Sequence, residues 1–187
     1  LSDVLRWKLM ADGAGFYSDT DILYVKPVRP LIEISNRSDL ILWYFDDHLA
    51  IEFLCAKNKN TFFRDVYRAS LHVSDFTTYQ AAGVGLIYRM VGMRVNHSKG
   101  CLAALRRRYP HLTFGSPPKH LLYPVHPLDT SKLHSRVVKL HPEAVGFHWY
   151  GGHPSSRKAI ATLTTSNWRQ YTSTSTFAYY LEVIGGE

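Results

Sequence analysis

The pattern of apolar and polar residues along the chain predicts alternating strands and helices. Two apolar runs, residues 40–45 and 50–56, are rich in aromatic and aliphatic side chains and have the length of buried strands. Apolar residues at helical spacing follow between residues 61 and 71, and Thr61 is the predicted cap of that helix. This order of elements indicates an α/β protein with a mixed central sheet flanked by helices.

Downstream of residue 71 the pattern is weaker. Short helices are predicted at 86–91 and 102–109, the second ended by a proline. Prolines punctuate residues 110–130, which predicts an irregular segment. The aromatic run 177–181 is predicted to pack as a terminal helix or strand, and the Ser/Thr alternation 172–176 before it as a linker or a polar edge strand. No internal repeat or second domain is evident, so residues 1–187 are predicted to form one domain.

Residues 2–10 predict an amphipathic helix that ends before Gly13. On such a helix Asp3 and Arg6 are three residues apart and lie on one face, which Trp7 continues. A surface ion pair is the simplest interpretation of this pair. Because the helix leads directly into an acidic motif, a role in a binding pocket is the alternative.

The acidic motif consists of Asp19 and Asp21, which follow a pair of turn-forming glycines and precede a β-prone run. In an extended segment, residues i and i+2 point the same way, so both carboxylates could converge on one point. Two carboxylates held that close repel each other unless one is protonated or a cation lies between them. With oxygen ligands alone, that cation is expected to be Mg²⁺ or Mn²⁺.

A solvated acidic turn is the alternative interpretation of this short pattern. A calcium loop of the EF-hand type fits poorly, because Tyr24 stands at its glycine position and Pro30 at its glutamate position. Asp46 and Asp47 form another acidic pair, either a second acidic site or a turn between two strands.

The net charge is +7, from 22 lysines and arginines against 15 aspartates and glutamates. Nucleic acid, an anionic membrane surface and a phosphate-bearing substrate are the candidate partners of such a chain. The basic residues are spread out except for Arg106, Arg107 and Arg108, which are predicted to occupy a helix C-terminus. Because no nucleic-acid-binding motif is present, a nucleotide-sugar diphosphate or an acidic bilayer near a lipid-linked acceptor fits better.

Cys55 and Cys101 are the two cysteines, and the sequence is equally compatible with a disulfide between them and with two free thiols. Among the histidines, only His148 and His153 have a spacing that suggests ligands. The chain starts without a methionine at the edge of a motif, so we expect it to be an N-terminally incomplete fragment, which leaves the compartment open.

The N-terminal motifs together resemble the sugar-nucleotide region of DXD-containing glycosyltransferases. The nearest relatives would be the family 32 type, comprising mannosyltransferases and capsular-polysaccharide enzymes; the large clostridial glucosylating toxins and the α1,4-galactosyltransferases share the pattern. The resemblance covers residues 1–30, and its elements are Ser2-Asp3-x-x-Arg6, Gly13-x-Gly15-x-Tyr17-x-Asp19-x-Asp21 and Lys26-Pro27. Ala14 stands where the family usually has a second glycine.

The resemblance implies a GT-A-like nucleotide-diphospho-sugar transferase fold that lacks its N-terminal, base-binding part. It also implies a metal-dependent hexosyltransferase that acts with retention. The donor would be a nucleotide-diphosphate sugar and the acceptor a glycan, glycolipid or glycoprotein. Membrane association would come from a region preceding Leu1, with a Golgi lumenal location in a eukaryote and a cytoplasmic or membrane-associated one in a bacterium.

The resemblance also assigns roles to residues. Asp19 and Asp21 would hold Mn²⁺ or Mg²⁺ on the donor diphosphate, with His148 as a further ligand. The donor sugar and its diphosphate would contact Asp3 and Arg6. Tyr17 would line the pocket. Trp149 and His148 would lie at the end of a β-prone strand that closes over the diphosphate. No catalytic base is assigned, although Asp46 or Asp47 could be tested.

Two alternatives remain. Where the family usually has Ser-Trp after this strand end, the chain has His153-Pro154-Ser155. This departure favours a non-catalytic relative that binds a nucleotide sugar or glycan. The charge and the 13% aromatic content would suit a basic nucleic-acid-binding module, which the acidic pair argues against.

Overall fold

The computed structural model describes residues 2–13, 15–45, 48–78, 80–94 and 99–185. The chain divides into two compact units. The first unit consists of Leu1–Asp19 and Arg29–Pro118, and the second of Thr20–Val28 and Lys119–Glu187. The predicted mixed α/β class is confirmed, whereas the prediction of one catalytic domain stays a prediction.

Short strands and mostly short helices alternate along the chain. The strands are β1 (Phe16–Ser18), β2 (Ile22–Tyr24), β3 (Leu40–Phe45), β4 (His48–Ala56), β5 (Phe114–Gly115) and β6 (Gly146–His148). The α-helices are α1 (Ser2–Ala11), α2 (Arg29–Asn36), α3 (Thr61–Ser70), α4 (Val84–Met90), α5 (Cys101–Arg108), α6 (Lys132–Ser135), α7 (Pro154–Thr162) and α8 (Thr176–Gly185). Single 3₁₀ turns occur at Lys119–Leu121, Pro127–Asp129 and Trp168–Tyr171.

The first unit is built on a mixed sheet with the strand order β1-β4-β3-β5. Strand β4 pairs antiparallel with both β1 and β3, and β5 adds to β3 in parallel. The sequences of β3 and β4 are continuous apolar runs, and most of the side chains of these strands are buried. The order places β1, which leads into Asp19, at one edge of the sheet.

Helices α1 and α3 supply three of the largest side chains buried in the first unit. Trp7, Phe62 and Phe63 are fully buried, and burying a side chain of this size stabilises a fold by roughly 1.5–3 kcal/mol. The indole N–H of Trp7 donates to the carbonyl of Ala82, which satisfies the one polar group it brings into the core. This packing fixes the rotation of α1 and therefore the direction of Arg6, one residue before Trp7.

The second unit is built around the antiparallel pair of β2 and β6, in which Ile22 faces His148. Its core contains fully buried Phe147 and Leu133. Helix α8 adds Tyr180, whose hydroxyl accepts a hydrogen bond from the backbone N–H of Leu140. The unit therefore holds the strand that carries His148 against a small apolar core.

The structure confirms the predicted strands 40–45 and 50–56, the N-terminal helix and the helices near 61–71, 86–91 and 102–109. Arg106–Arg108 do lie in the last turn of α5. Both thiols are free and buried, and burial raises the pKa of Cys55 to about 11 and of Cys101 to about 12. The aromatic run 177–181 lies in the helix α8.

One local prediction was wrong, and one helix was not predicted. The cap of α3 is Asn60, whose side chain accepts from the N–H of Phe63, while Thr61, the predicted cap, is the first helical residue. Helix α2 was not predicted; its Pro30 lies in the first helical turn, where a proline costs no backbone hydrogen bond. Residues 172–174 form a turn, which agrees with the predicted linker and not with the alternative of an edge strand. In this turn the hydroxyl of Thr172 donates to the carbonyl of Arg169.

Among the described residues, no helix combines the length and the apolar character needed to cross a membrane.

Candidate functional site

The candidate site of the first unit is organised around the guanidinium of Arg6, which is only 6% exposed. Its Nη1 donates to the carbonyl of Ile51 at 2.8 Å, which ties α1 to β4. Its Nη2 donates to both carboxylate oxygens of Asp19, at 3.0 and 3.1 Å. Asp19 follows β1 directly, and its backbone N–H donates to the carbonyl of Glu52 at 2.7 Å. Backbone pairing therefore positions the carboxylate that Arg6 binds.

Asp3 and Tyr17 complete this cluster. An Asp3 carboxylate oxygen lies 3.4 Å from Nη2 of Arg6, as the spacing of three residues on a helix predicted. The Tyr17 hydroxyl donates to Asp19 at 2.5 Å, and its ring lies under the guanidinium at 5.0 Å. Burial, together with this hydrogen bond, raises the pKa of Tyr17 to about 12, so the hydroxyl stays protonated and continues to donate.

Two carboxylates share one buried cation in this Arg6 cluster, so it carries a surplus negative charge. The Asp3 and Asp19 side chains are 28% and 21% exposed, so a ligand can reach them. Rigid carboxylates of this kind are suited to accept hydrogen bonds from hydroxyl groups. Gly83 lies beside them, because a Cβ at that position would come within 3.0 Å of an Asp3 oxygen.

The candidate site of the second unit consists of Asp21 and His148. The backbone N–H of Gly151 donates to Oδ2 of Asp21 at 2.8 Å, and Nε2 of His148 lies 3.0 Å from the same oxygen. The pairing of β2 with β6 sets this geometry, since Ile22 faces His148 across the two strands. Burial works to raise the pKa of Asp21, but His148 and the Gly151 N–H outweigh it and hold the pKa below its usual value.

His148 is 4% exposed, and neither ring nitrogen has hydrogen-bond geometry to a partner among the described residues. The 3.0 Å approach to Asp21 therefore lacks the geometry of an aligned hydrogen bond. A buried imidazole beside an ionised carboxylate is a donor set that suits a divalent cation such as Mn²⁺. On this observation Asp21 and His148 fit the metal that the resemblance implied.

The turn after β6 directs a backbone N–H at Asp21. Tyr150 has a left-handed backbone (φ 54°), which is uncommon for a residue other than glycine. Its hydroxyl donates to the carbonyl of Val125 at 2.8 Å. A Cβ on Gly151 would lie 2.6 Å from the ring of Trp149 and 3.2 Å from Cβ of Asp21, so only glycine fits without a shift. Trp149 thus packs over this turn.

The structure brings Asp3, Arg6, Tyr17 and Asp19 together in the first unit, and Asp21, His148 and Trp149 in the second. Thr20 and Asp21 lie in a turn rather than in an extended strand. The prediction that both carboxylates point the same way assumed an extended backbone at residues 19–21, and this assumption was wrong. Each carboxylate instead has its own set of partners. Asp46 and Asp47, named as testable bases, lie outside the described residues.

Sequence reasoning missed two groups in the second unit. His120, His141 and Glu143 place possible ligand atoms within 4.8 Å of one another. His134 Nε2 lies 2.8 Å from the hydroxyl of Ser156, which resembles an activated nucleophile. That hydroxyl, however, is fully buried and donates to the carbonyl of Trp149, so the pair serves structure.

Comparisons with known protein families, curated proteins and solved structures found no match to this chain. The Arg6 cluster and the Asp21–His148 pair are therefore the features of this chain that bear on its function.

Proposed function

We propose that the chain is the catalytic domain of a metal-dependent glycosyltransferase of the GT-A type. It would transfer a hexose from a nucleotide-diphosphate sugar to a glycan, lipid or protein acceptor. The observation that carries the proposal is the Arg6 cluster, because Asp3, Arg6, Tyr17 and Asp19 are the residues that the DXD motif groups in sequence. A chance acidic turn would give no reason for a buried arginine and a tyrosine to converge on Asp19.

In this proposal the first unit binds the donor sugar. The carboxylates of Asp3 and Asp19 accept hydrogen bonds from sugar hydroxyls, and Arg6 holds both of them in place. Since the hydroxyl of Tyr17 stays protonated, it keeps one Asp19 oxygen oriented. Such preorganised side chains lose little conformational entropy when the sugar binds.

Asp21 and His148, both in the second unit, are the residues that would hold the divalent cation. When bound, Mn²⁺ or Mg²⁺ supplies Lewis-acid stabilisation of the departing nucleoside diphosphate. The Gly151 N–H orients the Asp21 carboxylate. The ring of Trp149 packs against this turn.

A second candidate function is binding of a nucleotide sugar or glycan without transfer. It is favoured by one observation, namely that both Asp19 oxygens already accept from Arg6. A carboxylate neutralised in this way by a buried guanidinium offers a metal less charge than Asp21 does.

The test is release of nucleoside diphosphate by the full chain, with a panel of nucleotide-diphosphate sugars and simple sugar acceptors, with and without Mn²⁺. We expect Mn²⁺-dependent turnover that Asp21→Asn lowers at least about a hundredfold, since the loss of several kcal/mol of charge stabilisation acts on the rate. Asp129→Asn, which removes an exposed aspartate paired with Lys132, should not change it.

Turnover that is equal in wild type and Asp21→Asn would refute the proposal. Saturable binding of a nucleotide sugar to the wild-type chain without turnover would instead establish the second function.

A further inference from the structure

His120, His141 and Glu143 form a surface cluster in the second unit that the proposed transferase reaction does not use. His120 Nε2 lies 3.2 Å and His141 Nδ1 lies 3.9 Å from the same oxygen of Glu143. The two imidazole rings are in contact, with centroids 4.1 Å apart and planes tilted by 37°. One carboxylate oxygen and two ring nitrogens thus lie within 4.8 Å of one another.

The backbone around the cluster is held from both sides. His120 is followed by buried Leu121, and Glu143 by buried Ala144. The N–H of Val145 donates to the carbonyl of Leu121 at 3.0 Å, which joins the two segments directly beside the cluster. A turn closed by the N–H of Ala144 to the carbonyl of His141 brings His141 and Glu143 to one side. The backbone that carries the three side chains is therefore anchored by buried neighbours and by backbone hydrogen bonds.

The hydrogen bonding of His141 is compatible with metal binding. Its Nδ1 accepts a hydrogen bond from the backbone N–H of Glu143 at 3.2 Å, so this nitrogen carries a lone pair. The same nitrogen is the one that lies 3.9 Å from the Glu143 carboxylate. A cation bound at Nδ1 would take this lone pair, so the hydrogen bond from the Glu143 N–H would be exchanged for a metal bond.

We propose that His120, His141 and Glu143 bind one Zn²⁺ ion, separate from the cation of the transferase site. Ligand distances of 2.0–2.2 Å place neighbouring ligands of a tetrahedral zinc about 3.3 Å apart. The His120–Glu143 separation of 3.2 Å meets this value, and the His141–Glu143 separation of 3.9 Å requires a small contraction. Two imidazoles and one carboxylate favour Zn²⁺ over Mg²⁺, and water would occupy the fourth position.

The ligand side chains are accessible from solvent, at 36% for His120, 47% for His141 and 70% for Glu143. Zinc can therefore enter and leave without unfolding of the chain. Bound zinc would link the 3₁₀ turn Lys119–Leu121 to the segment that leads into β6, and it should stabilise the second unit by binding the folded state alone.

The test is calorimetric titration of the metal-free full chain with Zn²⁺ alone, in wild type and in His120→Ala, His141→Ala and Glu143→Gln. We expect one zinc per chain at this cluster, and at least about tenfold weaker binding there in each variant, a loss that even outer partners of metal ligands produce. His72→Gln removes an exposed histidine of the first unit, and Asp21→Asn disables the transferase cation site, so zinc bound at that site is lost; both variants should bind zinc at the cluster like wild type.

Thermal unfolding with and without Zn²⁺ should show a rise in Tm for wild type that is lost in the three ligand variants. Wild-type zinc affinity in all three variants would overturn the proposal and mark the zinc as adventitious. Absence of zinc binding by the wild-type chain would overturn it equally and would identify the cluster as an ion pair.

Discussion

The Arg6 cluster and the Asp21–His148 pair satisfy their carboxylates in different ways. In the first unit, both oxygens of Asp19 accept from a buried guanidinium. In the second unit, Asp21 accepts from a backbone N–H and lies against an imidazole whose ring nitrogens have no hydrogen-bond geometry to a described partner. The Arg6 cluster is thus already neutralised in part by its own cation, whereas the Asp21–His148 pair is suited to recruit one.

On this difference rests the division of labour that we propose, in which Asp19 orients the donor sugar and Asp21 binds the cation. A carboxylate fixed by a buried arginine is suited to orient a neutral ligand such as a sugar, since its geometry does not depend on a metal. A carboxylate held by one N–H and a histidine is suited to bind a cation that comes and goes. The DXD motif alone treats both aspartates as equivalent metal ligands.

The largest expected effect comes from removing the cation of the Arg6 cluster. Arg6→Met leaves Asp3 and Asp19 without their shared partner, so we expect urea unfolding to show a loss of about 3 kcal/mol. That value lies at the low end for a broken buried pair, because both carboxylates keep partial access to water. Arg64→Met, at an exposed position on α3, is the control and should change little.

A loss below about 1 kcal/mol in Arg6→Met would show that the cluster behaves like a surface ion pair. The contrast between the two units would then disappear.

The second effect concerns the turn that serves Asp21. Gly151→Ala places a methyl group 2.6 Å from the ring of Trp149, so we expect a loss of about 1–3 kcal/mol from overpacking. Gly152→Ala is a matched control, because a Cβ there would have no neighbour within 4 Å. Thermal unfolding, monitored by tryptophan fluorescence, compares the two variants. Equal stability of both would contradict the close packing of Gly151 against the ring of Trp149.

The third effect tests the orientation of Asp19. Tyr17→Phe removes the hydroxyl that donates to this carboxylate but keeps the ring under Arg6, so the expected loss is about 1 kcal/mol. Tyr179→Phe, at an exposed position on α8, should have no measurable effect. Chemical unfolding at neutral pH measures both. If the two variants were equally stable, the Tyr17 hydroxyl would not be engaged in solution.

The smallest effect is a change in acid sensitivity. The folded pKa of Asp21 lies below its usual value of 3.8, so the ionised carboxylate stabilises the fold. This contribution is fully present above pH 3.8 and is lost as pH falls through the folded pKa. Asp21→Asn should therefore cost more stability at about pH 6 than at about pH 3 in urea unfolding. An equal cost at both values would contradict the role of His148 and Gly151.

Local signals predicted much of the fold of the first unit. Continuous apolar runs identified β3 and β4, and helical spacing identified α1 and α3. The Asp3–Arg6 pair followed from helix geometry alone. Helix α2 was not predicted, although its Pro30 lies in the first turn of the helix, where a proline is well tolerated.

Long-range contacts in the second unit carried no comparable signal. His120 meets His141 and Glu143 only because the chain before β6 pairs with the segment after His120. The partners of Asp21 likewise depend on the pairing of β2 with β6, two strands separated by most of the chain. Spacing in the sequence cannot reveal such contacts, although the resemblance did draw attention to His148.

The most direct test of the division of labour is Mn²⁺ binding by the full chain, measured by electron paramagnetic resonance in a His141→Ala background that disables the histidine–glutamate cluster. We expect Asp21→Asn to weaken Mn²⁺ binding at least about tenfold, and Asp129→Asn to leave it unchanged. Mn²⁺ binding that survives Asp21→Asn at full strength would contradict the assignment of Asp21 as the metal-binding aspartate.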